Sequence, residues 1–397
     1  MILQVVDEKT GCESVFINKD LTSMSEIDTS IKYGTWKHSS LLSDLECEYA
    51  WVWSGGKTLE ECCPENLKDQ FEIMNQKLRA HMRSIKAARV CLDTNCFFDL
   101  IPENLMREYF LVKEEICKSV FRQAKPENYE LLKNVHVMLE EVSNQELNLD
   151  PTSLYPLRHK TRVREFLSRL ERVEKRVDLN VFGSRTGRLT TKKGTFPVLN
   201  LNKEYRSVLK PNNDVFVELD FNSAEIRTFL ALLGKRDIKE DIHEWNVTHV
   251  AKGSLTREQM KEKFFAWLYN PESNDPDLER LYNRKELKNK FWNGHLIKNP
   301  FGRVVQSDEK HCINYLIQST TNDIVLENTF KIREMLKGKR SNIAFTLHDS
   351  VIVDFDKDDK HLLVPMMKMF EKTRLGIFKT NIKIGKDFGD MRDIKVA

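Results

Sequence analysis

An α+β fold is the architecture this sequence predicts, on three observations. Across residues 102–176 apolar side chains recur at spacings of three and four, as in LMREYFLVKEEICKSVF and VREFLSRLERVEKRV, which is the pattern of long amphipathic helices. Residues 215–220 (VFVELD) and 342–355 (NIAFTLHDSVIVDF) are runs of strand formers, the second interrupted by His348-Asp349-Ser350 as a tight hairpin would be. Before about residue 100, short strand-like runs (LQVV, ESVFI, YAWVW, ARVCL) alternate with turn residues and one helical stretch near 67–85, the pattern of a small α/β unit.

With 397 residues and 40% hydrophobic content the chain can bury a large core and has room for two or three domains. The formal charge of +3 excludes little, but its placement is uneven. Residues 158–193 carry twelve Lys or Arg against four acids (Glu165, Glu171, Glu174, Asp178), a block that suits a polyanion such as nucleic acid or a solvated helix face. None of the eight cysteines forms a CxxC pair, so a zinc site is not expected. No apolar run reaches membrane-spanning length, and MILQVVDEKTG lacks the basic start and apolar core of a signal peptide. The expectation is a cytoplasmic protein, of a bacterial cell or a virus-infected host, with reduced thiols and no membrane partner.

In the N-terminal hundred residues, Asp44-Leu45-Glu46 precedes YAWVW and Asn95-Cys-Phe-Phe-Asp99 follows ARVCL. These paired acids resemble the first two motifs of DEDD proofreading exonucleases. No later Tyr-x-x-x-Asp or His-x-x-x-Asp supplies the last carboxylate, because Lys133 stands four residues after Tyr129 and Glu140 four after His136. A reduced or inactive exonuclease-like domain is therefore one reading of residues 1–100, and exonuclease activity is not expected.

Residues 215–227, VFVELDFNSAEIR, switch from a strand pattern to a helical one at Asp220. A carboxylate at the end of a buried strand is costly unless a cation offsets it, so Asp220 is a candidate metal ligand; a helix N-cap is the other reading. Asp349 in the expected hairpin turn is a second candidate. Upstream, GSRTGRLTTKK places glycine and threonine, which let a backbone come close to phosphates, beside Arg185, Arg188 and Lys192. A helix expected at 257–269 carries Arg257, Lys261, Phe265 and Tyr269 at steps of four, so two cations and two aromatics share a face, which suits a triphosphate with a base stacked beyond it or, alternatively, a surface helix with a packed stripe.

TGRL at 186–189, DFNSAEIR at 220–227, DIH at 241–243, REQMKEKFFAWLY at 257–269, IQSTTNDIV at 317–325 and LHDSVIVDF at 347–355 follow one another in an order that resembles the motif series of family A DNA polymerases, the DNA polymerase I class. The resemblance implies a right-hand polymerase fold, with an antiparallel palm sheet and helical thumb and fingers, behind a small N-terminal α/β domain. It implies boundaries near 1–100 for that domain, 101–177 for the thumb, 178–234 and 301–397 for the palm, and 235–300 for the fingers. It further implies template-directed extension of a primer 3′ end with deoxynucleoside triphosphates, assisted by two Mg²⁺ ions. Asp220 and Asp349 would hold the ions with the backbone carbonyl of Phe221. Arg257, Lys261, Phe265, Tyr269 and His243 would receive the triphosphate and base, and Glu225 would exclude a ribose 2′ hydroxyl. Phe265 where some members have Tyr implies discrimination against dideoxynucleotides. Arg188, Gln318, Asn314, Lys310 and His348 would line primer and template.

Three positions and one connection depart from the family pattern. Ser350 stands where a glutamate usually follows His-Asp, Asn270 replaces a glycine after the tyrosine, Lys310 replaces an arginine, and the connection from Tyr269 to Gln318 is short. A chain this short fits one piece of a divided, viral polymerase with a separate exonuclease or processivity subunit. The alternatives are a single-subunit RNA polymerase-like enzyme and a non-catalytic nucleic-acid-binding replisome subunit.

Overall fold

The computed structural model describes every residue except Asp93, Arg236, Asp237, Lys239 and residues 395–397. The chain forms two compact units, Met1–Glu140 and Glu141–Ala397.

In the first unit, strands β1 (Leu3–Asp7), β2 (Ser14–Ile17) and β3 (Asp20–Ser23) make an antiparallel sheet, and β4 (Tyr33–Thr35) pairs in parallel with β5 (Cys47–Tyr49). Helices α1 (Ala50–Trp53), α2 (Leu59–Cys62), α3 (Lys68–Ala87), α4 (Phe97–Leu100), α5 (Glu103–Phe121) and α6 (Tyr129–Ser143) follow. Phe16 of β2 stacks on Phe110 of α5, with ring centroids 5.5 Å apart, in a core that includes Met74, Ile85, Leu105 and Met106.

Three expectations for this unit are corrected. YAWVW is not a strand: after Tyr49 the chain turns into α1, and Trp51 donates its N–H to the carbonyl of Trp36. ARVCL is not a strand but the turn that follows α3, beginning at its C-cap Ala88. Arg89 takes a left-handed φ of 56°, so the Val90 N–H turns back to the carbonyl of Ile85 and closes α3. Nor are all the thiols reduced. Cys12, in the turn after β1, is disulfide-bonded to Cys96 at the N-cap of α4, 84 residues away. Sequence distance hid this pair because the hairpin and α4 meet only after folding. Asp44, Glu46 and Asp99 are all exposed.

The second unit begins with β6 (Asn148–Leu149), α7 (Thr161–Leu170) and β7 (Leu179–Asn180), which pairs with β8 (Thr190–Thr191), while β9 (Leu209–Lys210) pairs back to β6. Strand β10 (Val215–Phe221) then leads into α8 (Ala224–Leu232), α9 (Ile242–His249), α10 (Arg257–Tyr269), α11 (Pro276–Tyr282) and α12 (Arg284–Phe291). A hairpin of β11 (Leu296–Lys298) and β12 (Val304–Gln306) precedes the long α13 (Cys312–Leu336). The chain closes with β13 (Asn342–Leu347), β14 (Ser350–Phe355), α14 (Leu363–Glu371), the small pair β15 (Lys372–Thr373) and β16 (Gly376–Ile377), then β17 (Thr380–Gly385) and β18 (Arg392–Ile394).

The five strands β13-β14-β10-β17-β18 form one antiparallel sheet with β10 at its centre, consistent with the run of buried residues that precedes Asp220, apolar except for Glu218. Ile226, Phe229, Phe264, Trp267, Tyr282, Leu316 and Ile317 make a second core among α8, α10, α11 and α13. Thr256 starts α10 with a reciprocal capping box to Gln259, and Met260, Phe264, Trp267 and Leu268 bury one side of the helix. That burial leaves Lys261 exposed and Arg257 half-buried, while Phe265 and Tyr269 pack half-buried at the edge of this core. The fold is α+β, as expected.

Candidate active site

Asp220 is the last polar residue of β10 and lies opposite Ser350 on β14 and Asn381 on β17. Asp349 sits with His348 in the two-residue turn that joins β13 to β14, and His348 takes the left-handed φ of 53° that such a turn needs. The two sites meet because the Phe221 N–H donates to the carbonyl of Asp349 at 3.4 Å, which ties the end of the central strand to the turn. Burial and then the Asp349 charge, followed by that of Glu218, push the Asp220 carboxyl up to about 7, and burial raises Asp349 as well. Among the described residues neither carboxylate forms a salt bridge. Two half-buried acids that oppose each other's ionisation form a donor set for hard divalent cations, so the residues fit Mg²⁺. Among the described residues no three His, Cys, Asp or Glu side chains come together as a cage, so the oxygen donors here are the pair and nearby backbone.

Next to this pair runs a chain of polar contacts. Glu225, in the first turn of α8, accepts from Arg188 Nη2 at 3.0 Å through one oxygen and from the Tyr269 hydroxyl at 2.5 Å through the other. Tyr269 stacks on Phe265, with ring centroids 5.9 Å apart at 15°, and Phe265 lies 6.0 Å from the ring of His243. His243 is only 3% exposed. Burial, opposed by Asp241 and assisted by the Arg257 and Lys261 charges, lowers its pKa to about 4, so it is a neutral imidazole at the edge of this face. Arg257 donates to Asp241 at 2.8 Å, and the other oxygen of Asp241 caps α9 through the N–H groups of His243 and Glu244. Lys261 is exposed.

Asn314 and Gln318 are half-buried one turn apart on α13, and Lys310 is exposed just before it. Tyr269, Lys310 and Asn314 line one cavity of about 260 Å³. Arg188 and His348 line another small cleft with Asn322. The structure thus gathers the aspartates at one strand end and links Arg188, Glu225, Tyr269, Phe265 and His243 in a chain of contacts that reaches α10, while Gln318 lies one turn beyond Asn314 on α13. A larger cavity of about 690 Å³ lies at α7 and is edged by Arg162, Arg169, Arg172, Lys192 and Lys193, all within or beside the basic block.

Several residues that shape the site did not stand out in the sequence. Arg303 and Asp323 form a buried double hydrogen bond, at 2.7 Å and 2.9 Å, and Asn299 donates to the same carboxylate at 2.8 Å. They lie directly under the TGRL turn. Gly187 has a φ of +77°, and a Cβ there would stand 2.3 Å from the Arg303 guanidinium carbon, so only glycine fits. Asn322 holds the Gly187 carbonyl at 2.9 Å. Arg227 is 1% exposed and donates to the carbonyls of Asn222 and Ile238 at 2.8 Å each, fixing the turn after Asp220. In each case the signal was present as a residue type, but the partner lies on a different element.

The antiparallel sheet, the long α13 packed on β13 and the helical group of α8, α10 and α11 make an α+β fold of the right-hand polymerase kind. Among solved structures, the chain is similar to the POL domain of Pol1 from M. smegmatis in complex with DNA primer-template and dNTP. That likeness has a TM-score of 0.61 at 10% identity and covers 98% of this chain and 95% of the other, and it is a likeness of fold. No family model matches the chain. No curated protein matches it. Among the described residues no helix is long and apolar enough to cross a membrane.

Proposed function

We propose that this chain is a template-directed DNA polymerase that extends a primer 3′ end with deoxynucleoside triphosphates. The observation that carries the reading is the meeting of Asp220 and Asp349 at one end of the central sheet, through the Phe221 to Asp349 backbone bond, beside the braced Glu225. When bound, two Mg²⁺ ions would lower the pKa of the primer hydroxyl and offset charge on the triphosphate. Asp220, Asp349 and the Phe221 carbonyl are the groups that would hold them. Arg257 and Lys261 bind the phosphates as cations on the exposed face of α10, with the neutral His243 beside them. Phe265 and Tyr269 offer stacked rings to the sugar and base.

Glu225 fills the space next to that sugar and favours deoxynucleotides over ribonucleotides, which argues against an RNA polymerase. Gln318, Asn314, Lys310, His348 and Arg188 present donors and a charge to the primer and template, where minor-groove acceptors are common to every base pair. The basic cavity at α7 suits the duplex backbone. We assign residues 101–177 to a thumb, 178–234 and 301–397 to the palm and 235–300 to the fingers, with residues 1–100 apart from the chemistry. Proofreading then falls to a separate subunit, which co-purification from the native source would reveal.

Primer extension in Mg²⁺ by the wild type, Asp220→Ala and Asp349→Ala tests the reading. Extension by the wild type alone is expected; template binding without extension by all three would favour a non-catalytic replisome subunit.

A further inference from the structure

Ser350 stands where the resembled family places a glutamate, so no third carboxylate follows the His-Asp pair in the sequence. The fold supplies one from another strand. Glu218 lies two residues before Asp220 on β10, and the alternation of a strand puts both side chains on one face of the sheet. Ser350, opposite Asp220 on β14, shares its one hydroxyl proton between the Leu347 carbonyl at 3.0 Å and one oxygen of Glu218 at 3.3 Å, which places the Glu218 carboxylate within reach of position 350. Lys383, opposite Glu218 on β17, donates to the other oxygen at 2.9 Å. The Glu218 side chain is 11% exposed. A buried ion pair is at best comparable in stability to apolar residues of similar volume, so core formation does not account for a charge here.

We propose that Glu218 is the third acidic group of the cation site, carried on β10 instead of β14, and that it acts on the cations through their water shells. The inference rests on the polymerase reading above. Mg²⁺ bound by one or two carboxylates keeps several waters, and those waters need acceptors behind the direct ligands. Glu218, on the same sheet face as Asp220 and two residues before it, would be such an acceptor. Ser350 orients it, and Lys383 balances its charge before a cation arrives. Glu218 is thus a positioning residue for the ions that Asp220 and Asp349 hold.

The test measures Mn²⁺ binding by electron paramagnetic resonance to the full chain on a primer-template that lacks a 3′ hydroxyl, with the next dNTP present, so that no turnover occurs. Glu218→Gln is expected to raise the Mn²⁺ midpoint roughly tenfold, the scale of outer-layer partners at metal sites, with unchanged primer-template affinity. Adding Ser350→Glu to that variant is expected to bring the midpoint back toward wild type, because the carboxylate returns from the adjacent strand. An unchanged midpoint in Glu218→Gln, or no recovery in the double variant, overturns the proposal, whatever happens to thermal stability. If Glu218→Gln fails to fold, Glu218→Gln/Lys383→Met removes the unpaired ammonium and gives the same comparison. Asp220→Ala separates the two readings: wild type binding Mn²⁺ no better than Asp220→Ala defeats the polymerase reading, whereas wild type and Glu218→Gln both exceeding it equally defeats only this inference.

Discussion

The Tyr269 hydroxyl donates to Glu225 at 2.5 Å and so joins the last turn of α10 to the first turn of α8, 44 residues earlier. Arg188 holds the other Glu225 oxygen at 3.0 Å. With both oxygens engaged, the carboxylate cannot swing aside, and a rigid group excludes a neighbouring hydroxyl better than a mobile one. Glu225→Ala should therefore admit ribonucleotides, lowering the deoxy-to-ribo ratio of kcat/KM at least about tenfold, which corresponds to about 1.4 kcal/mol of lost discrimination. Tyr269→Phe should lower it in the same direction and by less. Single-turnover incorporation of matched ribo-, deoxy- and dideoxynucleotides measures this; equal ratios in all three proteins would remove Glu225 from sugar selection.

The aspartate pair has a pH consequence in the absence of metal. In the unfolded chain Asp220 titrates near 3.8, while in the folded protein it titrates near 7. The folded state then binds the proton more tightly, so stability from this group is full below about pH 4 and is lost as pH rises toward 7. In EDTA the melting temperature of Asp220→Asn should exceed that of the wild type by an amount that grows across that window. Adding Mg²⁺ should stabilise the wild type and leave the variant nearly unmoved. A wild-type advantage at pH 7 in EDTA would contradict the repulsion.

What the sequence conveyed, and what it withheld, follows from the range of the interactions. Asp220, Arg257 and Tyr269 could be named because strand-to-helix switches and steps of four are local patterns, whereas Glu225 was named only by what the resemblance implies. The β13–β14 hairpin could be placed because its turn lies between two adjacent apolar runs. YAWVW misled because aromatic and β-branched residues suit a strand on propensity, yet burial of Ala50, Trp51 and Val52 is met by a short helix instead. Cys12–Cys96, Arg303–Asp323 and Ser350–Glu218 could not be read, because each joins elements whose contact exists only in the folded chain.

The buried Arg303–Asp323 pair should be among the costliest to break. Asp323 is fully buried and accepts from both Arg303 and Asn299, so Asp323→Ala leaves a buried guanidinium unpaired. The expected loss is about 3–5 kcal/mol in denaturant unfolding. Gly187→Ala meets the same guanidinium from the other side and forces a left-handed alanine, so it should cost about 1–3 kcal/mol. Because both changes act through Arg303, the double variant should lose less than the sum of the two. Strict additivity would show that the turn and the ion pair are independent.

Arg257 and Lys261 share a face of α10 but differ in their surroundings, which separates binding from stability. Arg257 is held by Asp241 at 2.8 Å, and Asp241 also caps α9. Lys261 is exposed and bridged to no carboxylate among the described residues. Lys261→Ala should therefore leave the melting temperature unchanged while raising the KM for dNTP about tenfold, the value of a charge-assisted phosphate contact. Arg257→Ala should raise KM by a similar factor and also lower stability slightly, because Asp241 loses its partner while keeping its cap. Asp241→Asn should keep the cap through the amide oxygen but weaken the hold on Arg257, so it separates the two effects. If the guanidinium must leave Asp241 to reach the triphosphate, Asp241→Asn should lower KM; if Asp241 instead aims it, KM should rise. Either shift ties Arg257 to the nucleotide, and an unchanged KM in all three variants would take this face of α10 out of triphosphate binding.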